Sequence, residues 1–217
     1  MKPVTVPLAI ALGALTAAGA SAQVENMGPK AATYITAEDV KTVNALPGID
    51  RQIVSVDIGK LNEAVGVVHR GTTRRAPGTA APAAPAAAAA QQPACGQQMA
   101  TVPADVAGTG IAHDHQTETY VIIAGSGEMI TGGQIINGRK SAPDSAVTTT
   151  LNGPSCSGRI GGPGVVKRTV KTGDIIIIPA GVPHGWSDIP DFVDYLSIRP
   201  DPDRVLKPYV HPALQKK

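Results

Sequence analysis

The sequence has few aromatic side chains, two cysteines and no large excess of charge of either sign. It contains one Phe, one Trp and four Tyr residues, against 24 Gly and 19 Pro, which indicates many turns and short elements instead of long helices. The formal net charge of +2 gives no electrostatic reason to expect nucleic acid or an anionic membrane as a partner. We therefore predict an all-β protein whose function lies in a pocket.

Residues 1–22 are typical of an export signal. No long apolar run follows them. Lys2 gives a positive start, the apolar run at 8–15 is too short to span a bilayer, and Ala20-Ser21-Ala22 has the form of a cleavage site. We predict a signal peptide at 1–22 and a periplasmic or secreted protein with no membrane partner after cleavage. An uncleaved N-terminal anchor is the alternative. The remaining length fits one domain.

Composition changes sharply in a segment rich in Ala and Pro. Such a segment cannot bury enough apolar surface to offset its ordering entropy, so we predict a disordered insertion at 76–104. The alternative, a helix at 86–92, is too short to be stable alone. The insertion interrupts a barrel predicted at 51–75 and 105–200. An N-terminal arm is expected at 23–50 and a C-terminal tail at 201–217.

One helix and several short strands are predicted from the residue patterns. Thr36 and Asp39 resemble a capping box that begins a short helix, from Ala37 to about Ala45. Apolar and β-branched runs indicate the strands, at 51–57, 64–69, 118–124, 127–131, 165–170, 174–178 and 192–199. Short strands separated by Gly-rich turns suggest a sandwich or barrel, and the jelly roll is one such fold.

Three histidines and a carboxylate lie in two short segments. His113 and His115 are two residues apart on a predicted extended segment, so both imidazoles should project from one face. Glu118 breaks this period and needs a bend or bulge to join them. His184 lies in a turn that neighbouring prolines make rigid. Such nitrogen and carboxylate donors predict one divalent transition metal, namely Fe, Mn, Ni, Cu or Zn, since Ca²⁺ and Mg²⁺ prefer oxygen ligands.

The first segment resembles a motif of the cupin superfamily. That motif has the form H-x-H, three or four residues, Glu, six residues, Gly. His113, His115, Glu118 and Gly125 stand in this order, although only two residues separate His115 from Glu118.

The second segment resembles the other cupin motif, which is Gly, five residues, Pro-x-Gly, two residues, His, three residues, Asn. Gly173 to His184 matches it in register, with Asp188 in place of Asn. The resemblance covers roughly residues 53–199. It implies a cupin-type double-stranded β-helix, that is, a jelly-roll barrel, and a homodimer. The metal ligands that it implies are His113, His115, Glu118 and His184.

Two classes of function follow. The first is an exported metal-dependent enzyme that acts on a small oxygen-rich molecule; the resemblance implies dioxygenase-like oxidoreductase or isomerase chemistry, with Glu118 as the candidate catalytic group. The alternative is a cupin that binds or senses a small, sugar-like molecule without turnover. The sequence leaves open whether the protein is an enzyme.

Further residues are predicted around the pocket. Tyr120 and Trp186 are expected to line it, and His69 ends a strand whose alternation can direct it inward; an ordinary core or surface role is the alternative for each. Cys95 and Cys156 are the only cysteines. In an exported protein two cysteines commonly pair, so we predict a disulfide between them.

Overall fold

The computed structural model describes residues 31–74 and 92–215, which form a mostly antiparallel β protein. The helical elements of these residues are α1 (Ala37–Asn44), a π-helical turn (Val147–Asn152) and a 3-10 turn (Pro212–Leu214). The strands are β1 (Asp50–Asp57), β2 (Asn62–Gly71), β3 (Ala94–Cys95), β4 (Gly108–His113), β5 (Glu118–Thr131), β6 (Gln134–Lys140), β7 (Ser155–Gly161), β8 (Val166–Lys171), β9 (Ile175–Ile178), β10 (His184–Asp188), β11 (Phe192–Asp201) and β12 (Tyr209–Val210). The predicted signal peptide and residues 75–91 of the predicted barrel and insertion lie outside the described residues.

Strand β5 belongs to two antiparallel sheets. Its first half pairs with β11 and β9, and its second half pairs with β10 and β8. The first sheet has the order β12-β1-β2-β11-β5-β9, and the second has the order β8-β5-β10-β4-β7-β6-β3. The partners change near Gly125, which has a φ of 73°. A Cβ atom there would lie 2.1 Å from the carbonyl oxygen of Phe192, so only glycine fits.

Side chains from both sheets meet in one apolar cluster. Its buried members are Val68, Tyr120, Ile122, Met129, Val170, Ile178, Ile189, Val193 and Tyr195. Because β2 and β11 of the first sheet and β8 of the second all contribute, the two sheets pack face to face. The predicted all-β, cupin-type double-stranded β-helix is confirmed.

The short helix α1 covers the outer face of the first sheet. Its predicted capping box is confirmed: the hydroxyl of Thr36 accepts from the backbone N–H of Asp39 at 3.1 Å, and the Asp39 carboxylate accepts from the backbone N–H of Thr36 at 3.0 Å. Val43 of α1 packs against Ile53 and Val67. Val68, the next residue of β2, points into the cluster between the sheets. This part of β2 is therefore buried on both faces.

Two predicted boundaries need correction. Residues 94–95 form β3 and pair with β6, so the predicted insertion at 76–104 extends too far toward the C-terminus. The predicted tail at 201–217 contains β12, which pairs with β1, and Leu206, which is 1% exposed.

The predicted disulfide is confirmed, since Cys95 of β3 is bonded to Cys156 of β7. No helix in the described part of the chain is long and apolar enough to cross a membrane.

Candidate metal centre

Three buried side chains from three strands form a candidate metal centre. His113 ends β4, Glu118 begins β5 and His184 begins β10. Antiparallel pairing of β10 with β4 places His184 opposite Ile111, two residues before His113. Glu118 reaches the two histidines from the other sheet, where the first half of β5 pairs with β9 and β11. The Nε2 atoms of His113 and His184 each lie 3.0 Å from Oε2 of Glu118, and one ligand atom of each residue lies within 4.8 Å of the others. Three of the four predicted ligands are therefore adjacent.

The Nε2 atom of His184 is suited to bind a cation. Its Nδ1 donates to the carbonyl oxygen of Val182 at 2.9 Å, so the neutral ring carries a lone pair on Nε2. This Nε2 is buried and has no hydrogen-bond partner among the described residues. It faces the lone pairs of Glu118 Oε2, and two acceptors at 3.0 Å repel each other unless a proton or metal ion lies between them. The donor atoms therefore fit a bound cation.

Two residues of β11 orient the carboxylate of Glu118. Its Oε1 accepts from Nε of Arg199 at 2.8 Å and from the hydroxyl of Ser197. Burial would raise the pKa of Glu118, but the charge of Arg199 and the two neighbouring imidazoles outweigh it and hold the pKa well below its ordinary value. Glu118 is therefore an anion whose Oε2 faces the imidazoles. Hydrogen-bonding partners of this kind orient the carboxylates that bind metals.

His115 lies outside this cluster, which corrects the prediction that it joins His113 as a ligand. Strand β4 ends at His113 and residues 114–115 form a bend, so the alternation of a strand does not extend to His115. Its side chain is 62% exposed and hydrogen-bonds to Asp203. This hydrogen bond and the negative charge of Asp203 raise the pKa of His115. Gln116 is buried instead and donates to Asp201 at 2.9 Å.

The positions of these residues change the register of the first cupin motif. Four residues separate His113 from Glu118, which agrees with the motif's spacing of three or four residues between its second histidine and the glutamate. In this register Ile111 takes the place of the first histidine. Ile111 lies on the same face of β4 as His113 and directly opposite His184 in β10. The four-residue spacing is the sequence signal that would have identified His113 as the second histidine of the motif.

A cleft of about 1300 Å³ adjoins the centre, and His184 is part of its wall. Tyr120 and Trp186 also line it, as predicted. The ring of Tyr120 meets His184 edge-on with centroids 6.0 Å apart, and it packs on Tyr195 at 4.2 Å. Burial and the charge of Glu118 raise the pKa of Tyr120 well above its ordinary value, so Tyr120 is a neutral phenol.

His69 does not line the cleft, and the prediction that it does is wrong. Its side chain points outward, is 46% exposed and lies 2.6 Å from the carboxylate of Asp194. The next residue, Arg70, lines the cleft instead. Arg70 shares a strand face with Val68 of the cluster between the sheets. The alternation of β2 therefore runs one residue out of phase with the prediction.

The fold and this site define a double-stranded β-helix protein with a buried group of two histidines and one glutamate. No family model and no curated protein matches the sequence. A structural neighbour, an uncharacterized conserved protein with a double-stranded β-helix domain from Klebsiella pneumoniae subsp. pneumoniae MGH 78578, is 15% identical over 79% of this chain and 93% of its own, with a TM-score of 0.37.

Two further neighbours are similarly distant. The CENP-C cupin domain of Drosophila melanogaster is 12% identical over 68% of this chain and 74% of its own, with a TM-score of 0.29. Oxalate oxidase is 12% identical over 73% of this chain and 54% of its own, with a TM-score of 0.29. These proteins are distant likenesses of the chain.

Proposed function

We propose that His113, Glu118 and His184 hold one divalent transition metal, and that the protein is an exported metal-dependent enzyme acting on a small oxygen-rich molecule. The observation that carries this proposal is the buried, unpartnered Nε2 of His184 beside Oε2 of Glu118. Two histidine nitrogens and one carboxylate oxygen are the donors of many non-haem iron sites, and imidazole also suits Mn, Ni, Cu and Zn.

The surrounding residues support a preorganised donor set. The carbonyl of Val182 fixes the tautomer of His184, and Arg199 and Ser197 hold Oε1 of Glu118, which leaves Oε2 to face the imidazoles. When bound, a metal would supply Lewis-acid activation or orient a substrate in the adjoining cleft. The phenol of Tyr120, which stays protonated, is available to donate a hydrogen bond there.

Export is supported by the disulfide between Cys95 and Cys156. Disulfides persist in oxidising compartments such as the periplasm and the extracellular space and are rare in the reducing cytosol. The compartment also bears on the metal test, because protein expressed in the cytosol can load a different metal from the one it meets after export. Metal content should therefore be measured on protein recovered from the periplasm or medium.

The decisive experiment is elemental analysis of purified wild-type protein and single variants. We expect about one transition-metal ion per chain in the wild type, and less than about a tenth of that in His113→Ala, His184→Ala and Glu118→Gln. The first two variants each remove one of three donors, and the third replaces the anionic donor by a neutral amide. The matched control is His115→Ala, which removes an exposed imidazole two residues from His113 and should leave the metal content unchanged. Sub-stoichiometric wild-type metal that none of the variants lowers would disprove the metal centre.

A second candidate function is binding of a small molecule without turnover. It is favoured by Ile111, which replaces a potential ligand by an apolar side chain and leaves three protein donors. A panel of sugars, hydroxy acids and phenolics distinguishes the two. Turnover that is lost in His184→Ala supports the enzyme, whereas saturable binding of a panel member with no product supports the binding protein.

A further inference from the structure

The cleft beside the candidate centre is lined by cations. Arg70, Arg139, Lys140 and Arg159 contribute to its wall, and no Asp or Glu is among the described residues that line it. Lys140 is neutralised by Asp114, whose two carboxylate oxygens both lie 2.7 Å from its Nζ. The other three cations form no ion pair with any described residue. A cleft with this excess of positive charge attracts anions.

Among the three cations without an ion pair, Arg70 is held by a buried aromatic side chain. Its Nε donates to the hydroxyl of Tyr195 at 3.1 Å. Tyr195 is 1% exposed, and its ring is packed between Tyr120 at 4.2 Å and Trp186 at 5.7 Å. The guanidinium is therefore fixed by a rigid aromatic group, whereas Arg159 is exposed and makes no hydrogen bond with the described residues. A preorganised side chain loses less conformational entropy when a ligand binds.

The terminal amino groups of Arg70 are available to a ligand. Neither Nη1 nor Nη2 hydrogen-bonds to a described residue, and neither is among the atoms sealed from solvent. Burial would lower the pKa of Arg70, but the hydroxyl of Tyr195 and the charge of Asp50 outweigh it and raise the pKa. The guanidinium is thus a permanent cation on the cleft wall. With Nε engaged, the end-on pair Nη1 and Nη2 remains, and this pair matches the two oxygens of a carboxylate.

The rest of the wall fits an organic molecule. Ile111 and Trp186, both half-buried, line the same cleft and provide apolar surface for a carbon skeleton. His184 of the candidate centre is on this wall as well. Tyr120 links the two ends, since its ring contacts both His184 and the Tyr195 that holds Arg70. A ligand seated on Arg70 therefore lies in the cleft that the centre adjoins.

We propose that Arg70 is the recognition residue for a small organic carboxylate, which it binds end-on through Nη1 and Nη2. This inference rests on the proposed function only in treating the carboxylate as the substrate of the centre; binding to Arg70 itself requires no metal. Arg70 acts here by positioning the ligand and takes no part in proton transfer.

The test is isothermal titration of the full mature protein with benzoate, succinate, inorganic phosphate and benzamide, carried out both as purified and after chelation. Benzamide has the shape of benzoate without its charge. We expect saturable binding of at least one carboxylate and at least about tenfold weaker binding of benzamide and of phosphate. Benzamide cannot form charge-assisted bidentate hydrogen bonds, and phosphate has no carbon skeleton to contact the apolar part of the wall. No saturable binding of either carboxylate, or tighter binding of phosphate, overturns the proposal.

Three variants assign the binding to Arg70. We expect Arg70→Gln to weaken carboxylate binding by about tenfold or more, and Arg70→Lys to weaken it less, since Lys keeps the charge and loses the planar fork. Arg168→Gln removes an exposed cation of β8 outside the cleft and should bind like the wild type. Near-UV circular dichroism and metal content report whether each variant keeps its fold and its centre.

The outcomes separate the two proposals. Carboxylate binding to chelated protein that is lost in Arg70→Gln supports the role of Arg70, whether or not the wild type holds metal. Binding that needs the metal and is equally tight in Arg70→Gln overturns that role and leaves the proposed metal centre intact.

Discussion

Nε of Arg199 lies 2.8 Å from Oε1 of Glu118, and both side chains are almost completely buried, at 2% and 1% exposure. The guanidinium also donates from Nη2 to Asp50 at 2.7 Å, so it bridges a carboxylate of the centre and a carboxylate of β1. A buried ion needs such compensation because removing one partner leaves a charge in a medium of low polarity.

We predict that Arg199→Met lowers the free energy of unfolding by about 3–5 kcal/mol, the usual cost of breaking a buried ion pair by removing one partner. Urea denaturation followed by fluorescence measures this. The control is Arg74→Met, which breaks the exposed pair with Asp188 and should cost far less, because solvent screens an exposed ion pair. Equal losses in the two variants would contradict the stabilising role of the Arg199–Glu118 pair.

The same exposed pair gives a pH prediction. A hydrogen bond from Arg74, together with its charge, lowers the pKa of Asp188 despite an opposing effect of burial. A carboxyl group whose pKa is lowered on folding stabilises the protein above its unfolded pKa, about 3.9 for Asp, and this stabilisation is lost as the pH falls through the folded pKa.

We therefore expect the titration midpoint of the Asp188 carboxyl ¹³C resonance to lie at a lower pH than is ordinary for Asp. In Arg74→Gln this midpoint should move back toward the ordinary pH. Carboxyl resonances far from Arg74 serve as the internal control, since they should titrate alike in both proteins. An unchanged midpoint for Asp188 in Arg74→Gln would exclude Arg74 as the cause.

Replacing Ile111 by histidine is predicted to strengthen metal binding. Ile111 lies two residues before His113 on the same strand face and opposite His184, so an imidazole there adds a donor to the centre. Loss of a residue that only hydrogen-bonds to a metal ligand already lowers metal affinity by about 10–100-fold. We therefore expect an added ligand to raise the metal affinity by at least about tenfold. Competition with a chromophoric chelator measures this affinity. The matched control is Thr109→His, which adds an imidazole on the same face of β4 but two residues farther from His113 than Ile111. It should give no gain in affinity.

The disulfide is predicted to contribute substantially to stability. Cys95 and Cys156 are 61 residues apart in sequence, so their bond restricts a long segment of the unfolded chain. We expect the double variant Cys95→Ser/Cys156→Ser to lose about 2–5 kcal/mol of unfolding free energy in urea. Dithiothreitol should reproduce this loss in the wild type and have no effect on the double variant; a reductant effect on both would point to another cause.

Much of the fold and the three residues of the candidate centre could be predicted from sequence because the signals are local. Capping residues, apolar strands and the spacing of each motif need no knowledge of distant contacts. Arg199 and Ser197 could also have been found. Every second residue of β11 is buried, from Val193 to Asp201, and polar residues at inward positions of an alternating strand indicate a buried polar site.

The inward orientation of Arg70 could not be predicted from the alternation of its strand. Val67 and Val68 are both buried, one under α1 and the other between the sheets, so the hydrophobic pattern of β2 has no single phase. Whether His69 or Arg70 points inward depends on which face the helix covers. That is a tertiary relationship, and no window of residues within one strand contains it.

Strand β5 carries Glu118 at its first residue and pairs with two neighbouring strands in each of its halves. Because β5 is the strand common to both sheets, it can leave the fold only when backbone hydrogen bonds in both sheets break. Local fluctuations should therefore start at outer strands such as β12 and β3, and amide protons of β5 should exchange with solvent last. The carboxylate of the candidate centre thus sits on the segment that opens last, which keeps the site assembled while the periphery fluctuates.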